Sequence, residues 1–459
     1  MYNLCVVGGG PGGYVAAIRA AQLGAKVVLI EKEWLGGTCL NVGCIPTKAL
    51  VASTSVLSDI KNAASFGIEV EGVGFDFKKM MERKDKIVSQ LVGGVGFLMK
   101  KNNVDVIDGT AKLIGKNAVE VTTPDGTQTV EAENIILATG SEAALIKALS
   151  YDGKNVITSK EALSLTEVPK SMLVIGGGVI GCEFAMIYAE LGVKVTIVEA
   201  LDRILPMVDP EISKRMTTML KKKRIKISTG KLITGVEVAD GSIKATLESG
   251  KEVEAEKALI SIGRTFNSKG LGLEETGVEI GQRGEIVVDE YLKTNVENIY
   301  AIGDVTNKIQ LAHVASAQGI VCVENMFKDG PAIAMKYDVV PSCIFTSPEI
   351  ATVGISEAEA EEKGIEIAIG KFDFKASGKA LCIGHNDGFV KIIADKATDK
   401  ILGVHIMGPH ATDLIAEGVL AVEKGITVEE LTKTIHAHPT LSESVMEAAE
   451  AVHGMSIHS

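Results

Sequence analysis

The pattern of apolar positions divides the chain before any chemistry is considered. An apolar run over residues 4–7 has the length of a parallel strand buried on both faces, and it stops at Gly8-Gly9-Gly10-Pro11-Gly12-Gly13. A helical pattern follows to Leu23, and a second apolar strand over 26–30 ends at Glu31. The arrangement then repeats. Leu173-Val174-Ile175-Gly176-Gly177-Gly178-Val179-Ile180-Gly181 opens a second copy, in which Gly192, Lys194, Val195 and Glu199 stand at one constant offset from Gly24, Lys26, Val27 and Glu31. Apolar runs at 134–140 and 258–264 each close one unit at a glycine, and a further run over 298–304 delivers Asp304 at its carboxyl end. From about Tyr337 the texture changes to alternating segments, 389–393 and 401–407, flanked by helical patterns at 357–363 and 412–423. The expected fold is α/β: two Rossmann-like dinucleotide-binding domains followed by a C-terminal α+β domain. The expected boundaries are 1–142 for the first part of the first domain, 143–263 for the second unit, 264–336 for the return to the first, and 337–459 for the C-terminal domain.

Each glycine of the two loops has a separate task. Gly8 and Gly176 permit the tight turn, Gly10 and Gly178 let backbone approach a pyrophosphate, and Gly13 and Gly181 let helix and strand pack closely. The helix N-terminus then faces phosphate, and Glu31 and Glu199 can accept from a ribose diol. Two such loops in register imply two dinucleotide sites, filled by two cofactors or by a cofactor and a cosubstrate.

Composition narrows the class further. A chain of 459 residues with 46% hydrophobic residues and 49 glycines suits about three packed domains. A net charge of −12 excludes a general nucleic-acid partner, and the one basic run, Lys221-Lys222-Lys223-Arg224, reads as a solvated helix end. Apolar runs are of strand length, so no membrane span is expected, and the first strand begins too early for a targeting segment. Of seven cysteines, Cys5, Cys182 and Cys322 lie in apolar runs and read as core. The odd, scattered set fits a reducing cytoplasm with one special pair.

That pair lies in Gly36-Gly37-Thr38-Cys39-Leu40-Asn41-Val42-Gly43-Cys44-Ile45-Pro46-Thr47-Lys48. Residues five apart on a regular helix have Cα atoms roughly 8.6 Å apart, whereas a disulfide tolerates at most about 6.8 Å. Pairing therefore requires a distorted helix, for which Asn41 and Gly43 are suited. Such a pair would be labile and catalytic; the alternative is two reduced thiols in a core. Near the C-terminus, His436 and His438 stand in Thr434-Ile435-His436-Ala437-His438-Pro439-Thr440, with Glu443 nearby in sequence. An imidazole beside a carboxylate suits proton transfer from a thiol. The two histidines could also contribute to a metal site, but no third ligand cluster accompanies them, and none is expected.

Together these stretches resemble the FAD-dependent pyridine nucleotide-disulfide oxidoreductases, and within them the dihydrolipoyl dehydrogenases. The resemblance rests on Gly8 to Gly13 with Glu31, the Cys39 to Lys48 stretch, Ala138-Thr139-Gly140, Gly176 to Gly181 with Glu199, Ala301-Ile302-Gly303-Asp304, and His436 to Thr440 with Glu443. It implies a homodimer with FAD on the first domain and NAD on the second. FAD contacts are implied for Gly8, Gly10, Gly13, Glu31, Thr38, Lys48, Ala111, Thr139, Gly140, Asp304 and Ala312, and NAD contacts for Gly176, Gly178, Gly181, Glu199 and Gly263. The implied catalytic groups are a Cys39–Cys44 disulfide, Lys48 with Glu183 beside the flavin, and His438 with Glu443 acting on the other subunit's cysteines. A carboxylate at Glu199 disfavours the 2′-phosphate of NADP. Arg203 reads as helix or loop surface, and Ser141 to Leu145, without the proline often found after the Ala-Thr-Gly strand, reads as linker. The implied activity is oxidation of dihydrolipoamide on a lipoylated carrier, either E2 of a 2-oxoacid dehydrogenase complex or the glycine cleavage H-protein.

Overall fold

The computed structural model describes residues 1–239 and 241–458. Its first sheet is built on parallel strands Asp105–Asp108, Val27–Glu31, Tyr2–Val7, Gly126–Leu137 and Ile299–Ala301, in that spatial order. Cys5 stands in register with Val28 on one side and Ile135 on the other. Leu4, Cys5, Val6, Val28, Leu29, Ile135 and Ile136 are buried because both faces are covered, which is why these strands read as continuous apolar runs. An antiparallel ribbon, Thr110–Gly115 with Ala118–Thr123, extends the sheet from the early part of the long strand Gly126–Leu137. The helix Pro11–Gln22 packs against Ala312–Phe327, where a Cβ on Gly319 would lie 2.7 Å from Gly12 O.

The second sheet repeats the plan, with parallel strands Lys226–Ser228, Lys194–Val198, Ser171–Ile175, Lys257–Ile260 and Val156–Ile157. The chain enters and leaves this unit through one antiparallel ribbon, Ser141–Ala143 against Arg264–Phe266. The third sheet is antiparallel, in the order Ser342–Ile344, Glu349–Gly354, Ile401–Gly408, Phe389–Asp395 and Ile367–Asp373. Helices Ala411–Lys424 and Glu443–Val452 pack on it. The mixture of layers is the α/β plus α+β architecture expected from the apolar pattern.

Cys5, Cys182 and Cys322 are fully buried, as their apolar surroundings suggest. The basic run closes the helix Pro210–Lys222, with Lys223 tied to Glu190. No apolar run exceeds strand length, but one longer stretch is apolar on average. Gly37–Lys61 is long and apolar enough to cross a bilayer. It is broken at Gly43, and its second part buries Pro46, Ala49, Leu50 and Leu57 while packing against helices Phe77–Lys101 and Val179–Glu190.

Candidate active site

The paired cysteines lie on two helices rather than one. Gly37–Val42 ends at Gly43, and Cys44–Lys61 begins immediately after it. Gly43 has φ −140° and ψ −115°, and a Cβ there would sit 2.7 Å from Thr38 O, so the break depends on a residue without a side chain. Asn41 braces the short helix by donating to Leu35 O and Gly37 O, both at 3.0 Å. This is the distortion that pairing requires. No disulfide joins Cys39 and Cys44 in this structure, and each thiol acts on the other's proton affinity. The Cys39 thiol holds Cys44 down to about 7 against the effect of burial, and the Lys48 charge acts in the same direction. Cys39 is correspondingly pushed up, first by the neighbouring Cys44 and then by burial.

Lys48 lies one turn along the second helix. Its Nζ contacts both oxygens of Glu183, at 3.0 and 2.9 Å, and the Glu183 side chain is only 4% exposed. Glu183 comes from the second nucleotide helix, Val179–Glu190, so this ion pair joins the two nucleotide units beside the thiols.

Both glycine loops have the form a dinucleotide needs. A Cβ on Gly13 would lie 1.8 Å from Gly8 O, and one on Gly181 would lie 2.1 Å from Gly176 O, so each helix sits directly on its turn. Around Gly10 the nearest approach is 4.0 Å, and around Gly178 nothing lies within 4 Å, which leaves open space where a pyrophosphate would rest. Glu31 accepts from Gly9 N at 2.6 Å and Glu33 N at 2.7 Å; Glu199 accepts from Gly177 N at 2.5 Å and Leu201 N at 2.7 Å. Each carboxylate is thus fixed at the loop with lone pairs remaining for ribose hydroxyls. Gly37 packs on Gly10, bringing Thr38 and the cysteine helix to the mouth of the first loop. Ala111 is buried in Thr110–Gly115, Ala312 opens its helix, and Gly263, with φ +127°, lies between the strand Lys257–Ile260 and the ribbon strand Arg264–Phe266. The residues present fit FAD at the first loop and a second dinucleotide at the other.

Around Asp304 the structure shows groups the sequence reading missed. Ser141 Oγ donates to Asp304 Oδ2 at 2.5 Å and accepts from Arg264 Nε at 2.6 Å, while Arg264 Nη2 donates to Ser141 O at 2.6 Å. Ser141 is therefore no mere linker residue: it is buried and fixes the Asp304 carboxylate. Asn267 exchanges bonds with Thr139, receiving from its hydroxyl at 2.7 Å and donating to its carbonyl at 3.0 Å. Arg203 is also not plain surface. It is half-buried, donates to Pro206 O, and its Nε is buried without a partner among the described residues. No local sequence signal marks these contacts, because Ser141 and Arg264 are far apart in the chain.

His438 and Glu443 form the second cluster. Nδ1 of His438 lies 2.8 Å from Glu443 Oε1, and Glu443 Oε2 accepts from Thr440 N at 2.8 Å. Although burial opposes it, the Thr440 N–H and His438 hold the Glu443 carboxyl below the ordinary range. His436 turns elsewhere, to Glu417 at 2.7 Å and Thr434 O at 2.9 Å, so the two histidines do not share a site. The His438 side chain is 81% exposed and Ile435 is 97% exposed on the single chain. Among the described residues, no hydrogen bond connects this cluster to Cys39 or Cys44.

Similarity to known proteins agrees with this arrangement. Residues 2–319 match the model of the pyridine nucleotide-disulphide oxidoreductases, and residues 340–449 match that family's dimerisation domain. The chain belongs to this family, uses FAD and NAD, and forms a homodimer through the C-terminal domain. Within it the chain falls among the dihydrolipoyl dehydrogenases. It is 47% identical to the Bacillus subtilis enzyme of that name over 100% of this chain and 99% of that one. It is 45% identical to the human mitochondrial enzyme, over 97% and 89% of the two chains. LpdA from Mycobacterium tuberculosis has a similar structure, with a TM-score of 0.93 at 29% identity, covering 98% of this chain and 99% of the other.

Proposed function

We propose that the enzyme oxidises a dihydrolipoyl group carried on a lipoylated protein in the cytoplasm, passing the electron pair to NAD. The carrier is the E2 component of a 2-oxoacid dehydrogenase complex or the glycine cleavage H-protein, which present the same arm. In the oxidised enzyme Cys39 and Cys44 form a disulfide. His438 of the partner subunit takes a proton from one substrate thiol at Nε2, while Glu443 holds the opposite ring nitrogen. The thiolate attacks Cys39 Sγ, which breaks the disulfide and releases Cys44 as thiolate. The second substrate thiol then closes the lipoyl disulfide and frees Cys39, so one electron pair has moved from substrate to enzyme. Lys48 supplies the positive charge beside the Cys44 thiolate, and Glu183 fixes that lysine. When bound, the cofactors provide two-electron acceptance, from the reduced cysteines to FAD and onward to NAD.

The observation that carries this reading is the break at Gly43 between the two cysteines, with the Lys48–Glu183 ion pair one turn beyond Cys44, and the Lys48 charge favours the Cys44 thiolate. The exposed His438 supports action across a dimer interface. Replacing His438→Gln should lower the rate of dihydrolipoamide oxidation by about 10²–10⁴ while leaving NADH oxidation by artificial acceptors intact. Equal loss of both activities would refute the assignment.

A further inference from the structure

The Lys48–Glu183 pair has a third member. Glu183 Oε1 accepts from the backbone N–H of Phe345 at 2.9 Å, and Lys48 Nζ lies over the Phe345 ring, 4.4 Å from its centroid. Phe345 comes directly after Ser342–Ile344, the edge strand of the C-terminal sheet. The preceding Ile344 is buried in the apolar cluster that holds Leu50 and Phe184, and two residues on Ser347 N contacts Met186 Sδ at 3.3 Å. The phenylalanine is thus pinned on both sides to the helices that carry Lys48 and Glu183.

These contacts act on different parts of one electrostatic arrangement. A carboxylate with two oxygens on one ammonium tends to cancel its field. An N–H donated to Oε1 takes up part of the carboxylate charge, and an aromatic face holds the ammonium without adding a formal negative charge. We propose that Phe345 is a positioning residue that keeps the Lys48 ammonium directed at Cys44, so that the C-terminal domain helps to hold the redox thiolate. This builds on the proposed role of Cys44 but does not depend on which dithiol is the substrate.

The titratable groups around Cys44 are Cys39 from the short helix Gly37–Val42, Lys48 from its own helix and Glu183 from Val179–Glu190. Cys343, on the edge strand, feels the charge of Lys48 and is pushed up to about 11 by burial, so it stays a neutral thiol near pH 7. Burial raises the Cys44 thiol, but the Cys39 thiol and the Lys48 charge outweigh it. Weakening the hold on Lys48 must therefore move Cys44 upward.

The test is alkylation of the reduced holoenzyme by iodoacetamide, with the rate at Cys44 followed by mass spectrometry between pH 5 and pH 10. Phe345→Leu, which removes the aromatic face from the ammonium, should lower the Cys44 rate about threefold at pH 7 and should match the parent at pH 10. Phe345→Tyr, which keeps an aromatic face, should track the parent profile throughout. A Phe345→Leu profile that overlays the parent, or that is lowered equally at pH 10, would overturn the proposal; so would Phe345→Tyr behaving like leucine. Because alkylation needs no turnover, a failure here is separate from a failure of the proposed activity.

Discussion

In the first nucleotide unit Gly8 has φ +105° and Glu31 accepts from Gly9 N; in the second Gly176 has φ +104° and Glu199 accepts from Gly177 N. A Cβ on Gly8 would sit 2.4 Å from Ala138 O, and one on Gly176 would sit 2.4 Å from Ser261 O. The loops are thus built alike down to the neighbouring strand. Downstream of the two acidic residues the units diverge. After Glu31 the chain runs into the broken cysteine helix, whose Gly37 packs on Gly10. After Glu199 it makes a turn that lays Ile204 over Gly177 and enters the ordinary helix Pro210–Lys222. The glycine helices differ as well, since the second carries Glu183 where the first has Val15. Repetition suits nucleotide binding; the proposed chemistry lies in the parts that broke the repeat.

The strongest way to break this comparison is at the inserted helix. Cys44→Ser should abolish lipoamide-linked NAD reduction, on the order of a thousandfold or more, while the purified protein keeps its flavin spectrum. If substantial activity survives, the insertion is not the redox element. Next in size is a matched pair in the shared device. Gly13→Val places methyl groups on Gly8 O and should yield protein without bound flavin. Gly181→Val should retain flavin but raise KM for NAD about a hundredfold, since forced overlap costs ~1–3 kcal/mol. Flavin loss from both variants would show that the two loops do not serve separate cofactors. The smallest expected effect is at Glu199. Glu199→Gln should reduce the preference for NAD over NADP about tenfold, or ~1.4 kcal/mol, as read from the two kcat/KM values; no change would remove the charge argument.

The comparison also shows why much of the molecule could be read from its sequence. Strands such as Leu4 to Val7 and Leu173 to Ile175 are covered on both faces, so their residues are uniformly apolar, and a glycine forced by a neighbouring carbonyl leaves a fixed mark. The break at Gly43 could be inferred from the geometry of a disulfide. Other features rest on contacts between distant segments and leave no local pattern. Ser141 reaches Asp304 and Arg264 across the ribbon between the nucleotide units, His436 is drawn to Glu417 on another helix, and Phe345 meets Lys48 from a different domain. Arg203 escapes a local reading because its half-buried position is set by the turn after Glu199.

In the proposed mechanism one dithiol pair and one flavin work in series in each chain. Anaerobic titration of the oxidised flavoprotein with dithionite measures this directly. The protein should take up two electron pairs per chain, one by FAD and one by Cys39–Cys44, falling to one in Cys44→Ser. Uptake of a single pair by the unaltered protein would contradict it.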